Sequence, residues 1–210
     1  MDTREVAAAS DQLRDGSVVE ALAAARAGEA WAAEVLFRDL QPRLLRFLRA
    51  FETRSADDLA GEVWLAVARG LQTFEGDLTG FRSWVFSIAR RRLADHRRTA
   101  VRRATDPTDF DHADTLLPAS ESTEQVVLRQ LSGQDAADLV TALLPPDQAE
   151  VLLMRVLGDL DVAHVAEVLD RPANWVRVTQ HRALRKLAEH FAEKSAEPVM
   201  HAPSPTICSA

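Results

Sequence analysis

Apolar side chains recur at three- and four-residue steps along most of this chain, and the period-two alternation of a half-buried strand is nearly absent. A chain patterned this way can bury its apolar surface only by packing helices, so the expected fold class is all-α. The longest such run, Glu29 to Phe51, carries Trp31, Val35, Leu36, Leu40, Leu44, Leu45 and Leu48 in register. Pro42 stands inside it. A proline within an unbroken helix costs about 3 kcal/mol, so the sequence predicts a kink or break near Asp39 to Gln41. A shorter helix precedes it over Val18 to Arg26. Ser55, Asp57 and Asp58 make an N-capping region for a third helix, Asp57 to Leu71, with Leu59, Val63, Ala66, Val67 and Leu71 on one face and Gly70 near its end. The loop Thr73 to Gly80 leads into a fourth helix, Phe81 to Arg98, whose apolar face is Phe81, Trp84, Val85, Ile88 and Ala89.

Residues 104–121 hold two prolines and many Asp, Ser and Thr with no helical period, which reads as an exposed flexible linker. A second helical set follows: Thr123 to Leu143, Pro146 to Leu157, Val162 to Leu169 and Asn174 to Phe191. The expected organisation is therefore an N-terminal extension (1–27), a first helical domain (28–103), a linker (104–122), a second helical domain (123–191) and a disordered tail (192–210).

Composition excludes several classes. The single cysteine, Cys208, rules out an intramolecular disulfide framework and a multi-cysteine zinc site. No apolar run approaches the roughly 18 residues that span a bilayer, and charges stand where a secretory signal would be apolar. A soluble, cytoplasmic protein without a membrane span is expected. The formal charge of −7, taken as a total, argues against nucleic acid, but its distribution does not. Residues 81–103 hold eight Arg and one acid; residues 171–190 hold five basic residues and one acid; between them, residues 104–141 hold eight acids and one Arg. Two basic patches joined by an acidic connector attract phosphates at two places despite the acidic total.

The second domain holds the clearest motif. Val162 to Leu169 is a short amphipathic helix, Asp170-Arg171-Pro172-Ala173 a tight turn, and the following helix is longer and basic. It is expected to bury Val176, Ala183, Leu184, Leu187 and Phe191 and to leave Asn174, Arg177, Val178, His181, Arg182 and Arg185 outward. Two helices across a turn this short form a helix-turn-helix, whose second helix enters the major groove. Arg177 is then placed for base edges or phosphate, and Arg182, Arg185 and Lys186 mainly for phosphates. The plain alternative is a three-helix bundle with a solvated basic face. In the other patch Phe86 shares a helical face with Arg90 and Arg97, and aromatic rings among arginines suit unstacked bases. The competing assignment makes Trp84 and Phe86 core residues and leaves the arginines merely exposed.

Asp57-Asp-Leu-Ala-Gly-Glu-Val-Trp-Leu65, Phe74 and Phe81-Arg-Ser-Trp-Val-Phe-Ser-Ile-Ala-Arg-Arg-Arg-Leu-Ala-Asp-His-Arg-Arg98 resemble region 2 of bacterial sigma factors of the extracytoplasmic-function class, group IV of the sigma-70 family. Leu143-Leu-Pro-Pro-Asp-Gln148 and Val162 to Leu187 resemble region 4 of the same class. The likeness covers about residues 28–103 and 123–191 in the family's order, with region 3 absent as the class expects. It implies that Asp57, Asp58 and Glu62 dock on the clamp helices of the RNA polymerase β′ subunit. Phe74, Trp84, Phe86, Arg90, Arg91, His96 and Arg97 would capture and melt the −10 promoter element. Arg171, Asn174, Arg177, Val178, His181, Arg182 and Arg185 would read the −35 element as duplex. The implied partners are core polymerase through β′ and β, promoter DNA, and an anti-sigma factor or other protein regulator; no cofactor, metal or catalytic residue is implied.

This chain departs from the family where Asn is usual near Arg91 or Arg92, at Val178-Thr179-Gln180 where two or three basic residues are usual, and at Trp175, commonly a small or hydroxyl residue. Three other readings are weaker. A helix-turn-helix regulator acting without polymerase calls for a dimer seam and a ligand pocket, for which the sequence offers no signal. A small helical enzyme calls for a nucleophile–base pair or phosphate loop, yet the six His are scattered and show no His-x-x-x-His. An interaction module such as an anti-sigma factor does not need two arginine patches.

Overall fold

The structure is a computed structural model and describes residues 17–105 and 133–196. Most of the expected linker, the start of the helix expected from Thr123, the first 16 residues and the tail from 197 lie outside the described residues. Among the described residues there is no strand. The helices are α1 (17–26), α2 (Ala30–Phe51), α3 (Ala56–Gly70) with a 3-10 turn at Leu71–Thr73, α4 (Leu78–Thr105), α5 (Gly133–Leu143), α6 (Pro146–Val156), α7 (Val162–Leu169) and α8 (Ala173–Ala196).

The boundaries follow local chemistry. Gly28 adopts φ +89° after α1, and the Gly28 and Glu29 amides bond the Ala25 and Ala24 carbonyls at 3.1 and 3.0 Å, a Schellman stop. Asp77 caps α4, its carboxylate accepting from the Gly80 amide at 2.8 Å, which moves the start of that helix three residues before Phe81. Pro146 opens α6 at a position where its missing N–H is harmless.

The break expected at Pro42 does not occur: α2 continues through it. Leu36 and Leu40 before the proline, and Leu44, Phe47 and Leu48 after it, lie on one buried stripe. Each fully buried side chain of this size contributes about 1.5–3 kcal/mol, which outweighs one lost backbone hydrogen bond. Pro42 itself faces solvent.

The first unit, α1 to α4, packs around Phe47, whose ring meets Phe51 and Phe86 edge-on with centroids 5.2 and 5.3 Å apart. The second unit, α5 to α8, does not stand apart. α5 lies along α2 and α7 packs on α4, and Ala137, Val151, Met154, Leu160 and Val165 share one continuous apolar core with Phe47, Phe81 and Phe86. Leu144, Ala149, Leu152 and Ala183 form a smaller core within the second unit.

Because Pro42 is exposed within a continuous helix, Pro42→Ala restores a backbone donor without removing packing. It is expected to raise stability by about 1–3 kcal/mol in thermal unfolding. A lowered Tm would show that the proline is accommodated by something other than flanking burial.

Candidate nucleic-acid interface

Three surfaces carry the residues nominated by the sequence. On α3, Asp57 and Asp58 occupy the first turn, where the helix dipole favours acids. Asp57 accepts from Arg49 Nη2 at 3.1 and 3.2 Å, which ties α3 to the end of α2, whereas Asp58 projects outward. Glu62, one turn on, lies 3.6 Å from Arg92 Nε. Leu65 continues this stripe at 59% exposure, a large apolar side chain in solvent beside two carboxylates. The sequence reading missed Leu65. The available signal was its place one turn after Glu62, off the apolar face.

On α4 and the loop before it, Phe74 stacks on Trp84 with centroids 5.2 Å apart and planes at 19°; both rings are half-buried. Close packing fixes this pair. Gly76 has φ +151° and any Cβ there would meet the Phe74 ring at 2.8 Å, while a Cβ on Gly70 would meet Trp84 at 2.8 Å. Arg26 of α1 holds the loop from behind, 3.3 Å from the Gly76 carbonyl. Arg91 and Arg97 are exposed, and Arg97 donates to the Phe51 carbonyl at 3.0 Å while lying over the Phe51 ring. His96 stands 3.9 Å from Glu52. Arg90 is half-buried and donates to Glu150 of α6 at 2.9 Å.

Phe86 corrects the sequence reading. It is wholly buried against Phe47, so no base can reach it, and of the two roles left open it takes the core one. Its angular position decides this. With Arg82, Val85, Ala89 and Leu93 also buried, the inward face of α4 is wider than its apolar residues suggest, because α7 covers part of it.

The third surface is α7, the turn and α8. Asp161 caps α7, accepting from the His164 amide at 2.8 Å and lying 2.9 Å from His164 Nδ1. Those bonds to the ionised form, led by the His164 amide, hold the Asp161 carboxyl below the usual range. Asp170 closes α7 with φ 52°, and Arg171 stacks over Trp175 at 5.5 Å. Val176, Thr179 and Ala183 face the core, leaving Asn174, Arg177, Val178, His181, Arg182 and Arg185 exposed along the opposite side. Arg185 lies 3.4 Å from Glu189.

Leu184 and Phe191, expected inside, are 48% and 50% exposed. The buried stripe runs through 176, 179 and 183 to half-buried 187 and 190, and residues 184 and 191 each sit one step, about 100°, off it. Among the described residues, no group of three His, Cys, Asp or Glu could hold a metal, and no helix is long and apolar enough to cross a membrane.

Between the two units lies a cleft of about 310 Å³. Phe74, Ser83, Trp84 and Ser87 line it from the first unit, and His164 and Glu167 from α7. Beside it Arg82 of α4, 3% exposed, donates to Asp159 at 2.8 Å and lies 3.5 Å from Asp39 of α2. None of these contacts between the units was visible in the sequence.

Comparison with known proteins gives a consistent pattern. Residues 36–103 match the family model described as Sigma-70 region 2, and residues 134–187 the one described as Sigma-70, region 4. The chain is 33% identical over 190 residues to the ECF RNA polymerase sigma factor BldN of Streptomyces coelicolor, covering 88% of this chain and 69% of that protein. It is 32% identical over 175 residues to the ECF RNA polymerase sigma factor ShbA of Streptomyces griseus, covering 76% and 87%. In fold it is similar to the sigma factor RpoE of Bartonella quintana, solved with the anti-sigma factor NepR, with a TM-score of 0.56 and 19% identity over 76% of this chain and 96% of that one.

The Glu150–Arg90 contact makes a pH prediction. Burial raises the Glu150 carboxyl above the ordinary glutamate range more than Arg90 lowers it. The folded state therefore binds this proton more readily than the unfolded state, and the group's stabilising contribution is full below the unfolded value and is lost as pH rises through the folded one. Ionised Glu150 is a cost at neutral pH. Glu150→Gln is expected to raise Tm at pH 7 and to change it little at pH 4; a lower Tm at pH 7 would show that the attraction of Arg90 dominates.

Proposed function

We propose a division of labour for this chain, which belongs to the sigma-70 family within its extracytoplasmic-function class. As a member of that family it binds core RNA polymerase and directs promoter recognition and transcription initiation. The observation that carries the division is the placement of two exposed basic surfaces, on α4 and on α8, in two helical units whose family matches stand in the order region 2, region 4.

In this reading the stripe Asp57, Asp58, Glu62 docks on the β′ clamp helices, with Leu65 supplying the apolar part of the contact. Support comes from its exposure along one side of α3. A buried apolar anchor ringed by polar groups is the usual economy of such an interface.

The −10 element is taken by Phe74, Trp84, Arg90, Arg91, His96 and Arg97. The half-buried stacked pair Phe74–Trp84 supports a stacking role, because a base flipped from the duplex gains about 1–3 kcal/mol on an aromatic face. Phe86 acts from beneath, as the ring that positions α4. Arg91 and Arg97 meet the strand's phosphates, a contact that positions without reading sequence.

The −35 element is read as duplex by the outward side of α8, with Arg177 toward base edges and Arg171, Asn174, Val178, His181, Arg182 and Arg185 around it. Val178 offers an apolar contact in a stretch where the family usually has basic residues, which suits a thymine methyl. The factor works in the cytoplasm, has no catalytic activity of its own, and has β, β′, promoter DNA and an anti-sigma or other protein regulator as partners.

Two substitutions test the assignment. Asp58→Arg reverses a charge in the docking stripe and is expected to reduce co-purification with core polymerase about ten-fold or more, the equivalent of roughly 1.4 kcal/mol. Recovery at the wild-type level would sink the docking site. Arg177→Ala is expected to lower run-off transcription about 5- to 150-fold at promoters that need the −35 contact, the range set by about 1–3 kcal/mol per base contact. Unaltered output and promoter preference would remove Arg177 from the reading face.

A further inference from the structure

The loop from Phe74 to Asp77 is pinned at both ends by its neighbours in sequence. The Phe74 amide donates to the Leu71 carbonyl at 3.2 Å. At the other end the Gly80 and Phe81 amides donate to the Asp77 carboxylate and carbonyl at 2.8 and 2.9 Å. The middle of the loop is held from a different element. Arg26 Nη1 donates to the Gly76 carbonyl at 3.3 Å, and the same guanidinium lies 5.8 Å from the centre of the Phe74 ring. One side chain therefore meets both the backbone of the loop and the ring that stacks on Trp84.

Helix α1 delivers Arg26 through its own pattern. Val18, Ala21, Leu22 and Ala25 are buried at helical spacing and seat α1 on the first unit. Arg26 follows Ala25 at the edge of that stripe, in the last turn before Gly28, where the helix dipole favours a cation. It is half-buried, whereas Arg91 and Arg97 of α4 are exposed. A carbonyl oxygen and an aromatic face are both electron-rich, so the guanidinium is matched to groups of the protein itself. α1 also precedes residues 36–103, so Arg26 lies outside the stretch that the region 2 family model matches.

We propose that Arg26 is a positioning residue for promoter opening: it holds Gly76 and Phe74 so that the Phe74–Trp84 pair is preformed for a base flipped from the −10 element, and it does not contact the DNA. The inference rests on the assignment of the −10 element to that pair. A base leaving the duplex gains what stacking returns, less whatever ordering the loop costs on its arrival. Arg26 removes that ordering step. Gly76, at φ +151° and without a side chain, is the hinge once its carbonyl is released.

The test uses holoenzyme assembled from core polymerase and the full chain, on a promoter that depends on the chain. Permanganate reactivity of the −10 thymines reports opening, and the footprint over −35 reports duplex binding. Arg26→Ala is expected to lower the open-to-closed ratio about three- to ten-fold, the size of one charge-assisted hydrogen bond and one exposed cation–π contact. The −35 footprint and the helix content are expected to stay at the wild-type level. Should Arg26→Ala lose helicity, Arg26→Leu carries the same readouts, since leucine favours the helix but has no donor. Phe74→Ala is expected to lower the ratio about 5- to 150-fold, the range of one base–aromatic stack.

The double variant separates positioning from direct contact. Because Arg26 acts through Phe74, adding Arg26→Ala to Phe74→Ala is expected to change the ratio little further. A second readout is the salt dependence of holoenzyme binding to a fluorescein-labelled fork of −10 sequence. Positioning predicts the wild-type slope for Arg26→Ala, whereas a lost phosphate contact flattens the log–log slope by about 0.7. Additive losses, a flattened slope, or a wild-type ratio in Arg26→Ala beside an impaired Phe74→Ala would overturn this inference alone. Wild-type opening in Phe74→Ala would instead defeat the −10 assignment beneath it.

Discussion

A guanidinium that leaves water must keep carboxylate partners, and Arg82 is the point where that requirement organises this molecule. It stands in the first turns of α4, with Asp39 of α2 at 3.5 Å on one side and Asp159 of the second unit at 2.8 Å on the other. Asp39 is itself buried and lies 3.5 Å from Arg43, so a chain of charges runs from the buried Asp39–Arg82 pair out to the exposed Asp159 at the junction of three elements. Such a set contributes little net stability compared with an apolar core, but it tolerates only one rotation of α4. That rotation sends Val85, Phe86, Ala89 and Leu93 inward and leaves Arg91, Arg97 and Arg98 outward. The chemistry available on the surface of α4 is a consequence of what Arg82 demands inside.

The same geometry explains which features were legible in the sequence. Val162–Leu169 ends where its pattern and its flanking aspartates say it should, because Asp161 and Asp170, its immediate neighbours in sequence, supply both caps. The two basic surfaces were legible from charge counts alone, since Arg91, Arg97, Arg177 and Arg182 have no burial that could hide them. Pro42 was misleading because its penalty is local, while the gain that overrides it comes from tertiary burial of Leu36, Leu40, Leu44 and Phe47. Leu184 and Phe191 went wrong for the opposite reason: an apolar residue was assigned to the core, although Thr179 occupies the buried stripe and places them off it. Phe86, Arg82–Asp159 and Arg90–Glu150 depend on contacts between distant segments, which no local period encodes.

Charge arrangement, rather than total charge, links fold to function here. A net −7 is compatible with DNA binding because the arginines are concentrated on α4 and α8 and the acids lie elsewhere. Two modest DNA contacts on one chain add through high effective concentration, so neither unit needs to bind tightly alone. Asp159 and Glu150 of the second unit pair with Arg82 and Arg90 at the junction where both units meet.

The central claim is that this chain gives core polymerase a bipartite promoter preference, read by α4 and by α8. Sequencing the 5′ ends of RNA made by core polymerase on genomic DNA, with and without the chain, tests it directly. The account predicts start sites that appear only with the chain and share two motifs at a fixed separation, one near −10 and one near −35. Start sites that do not depend on the chain, or that share a single motif only, would contradict it.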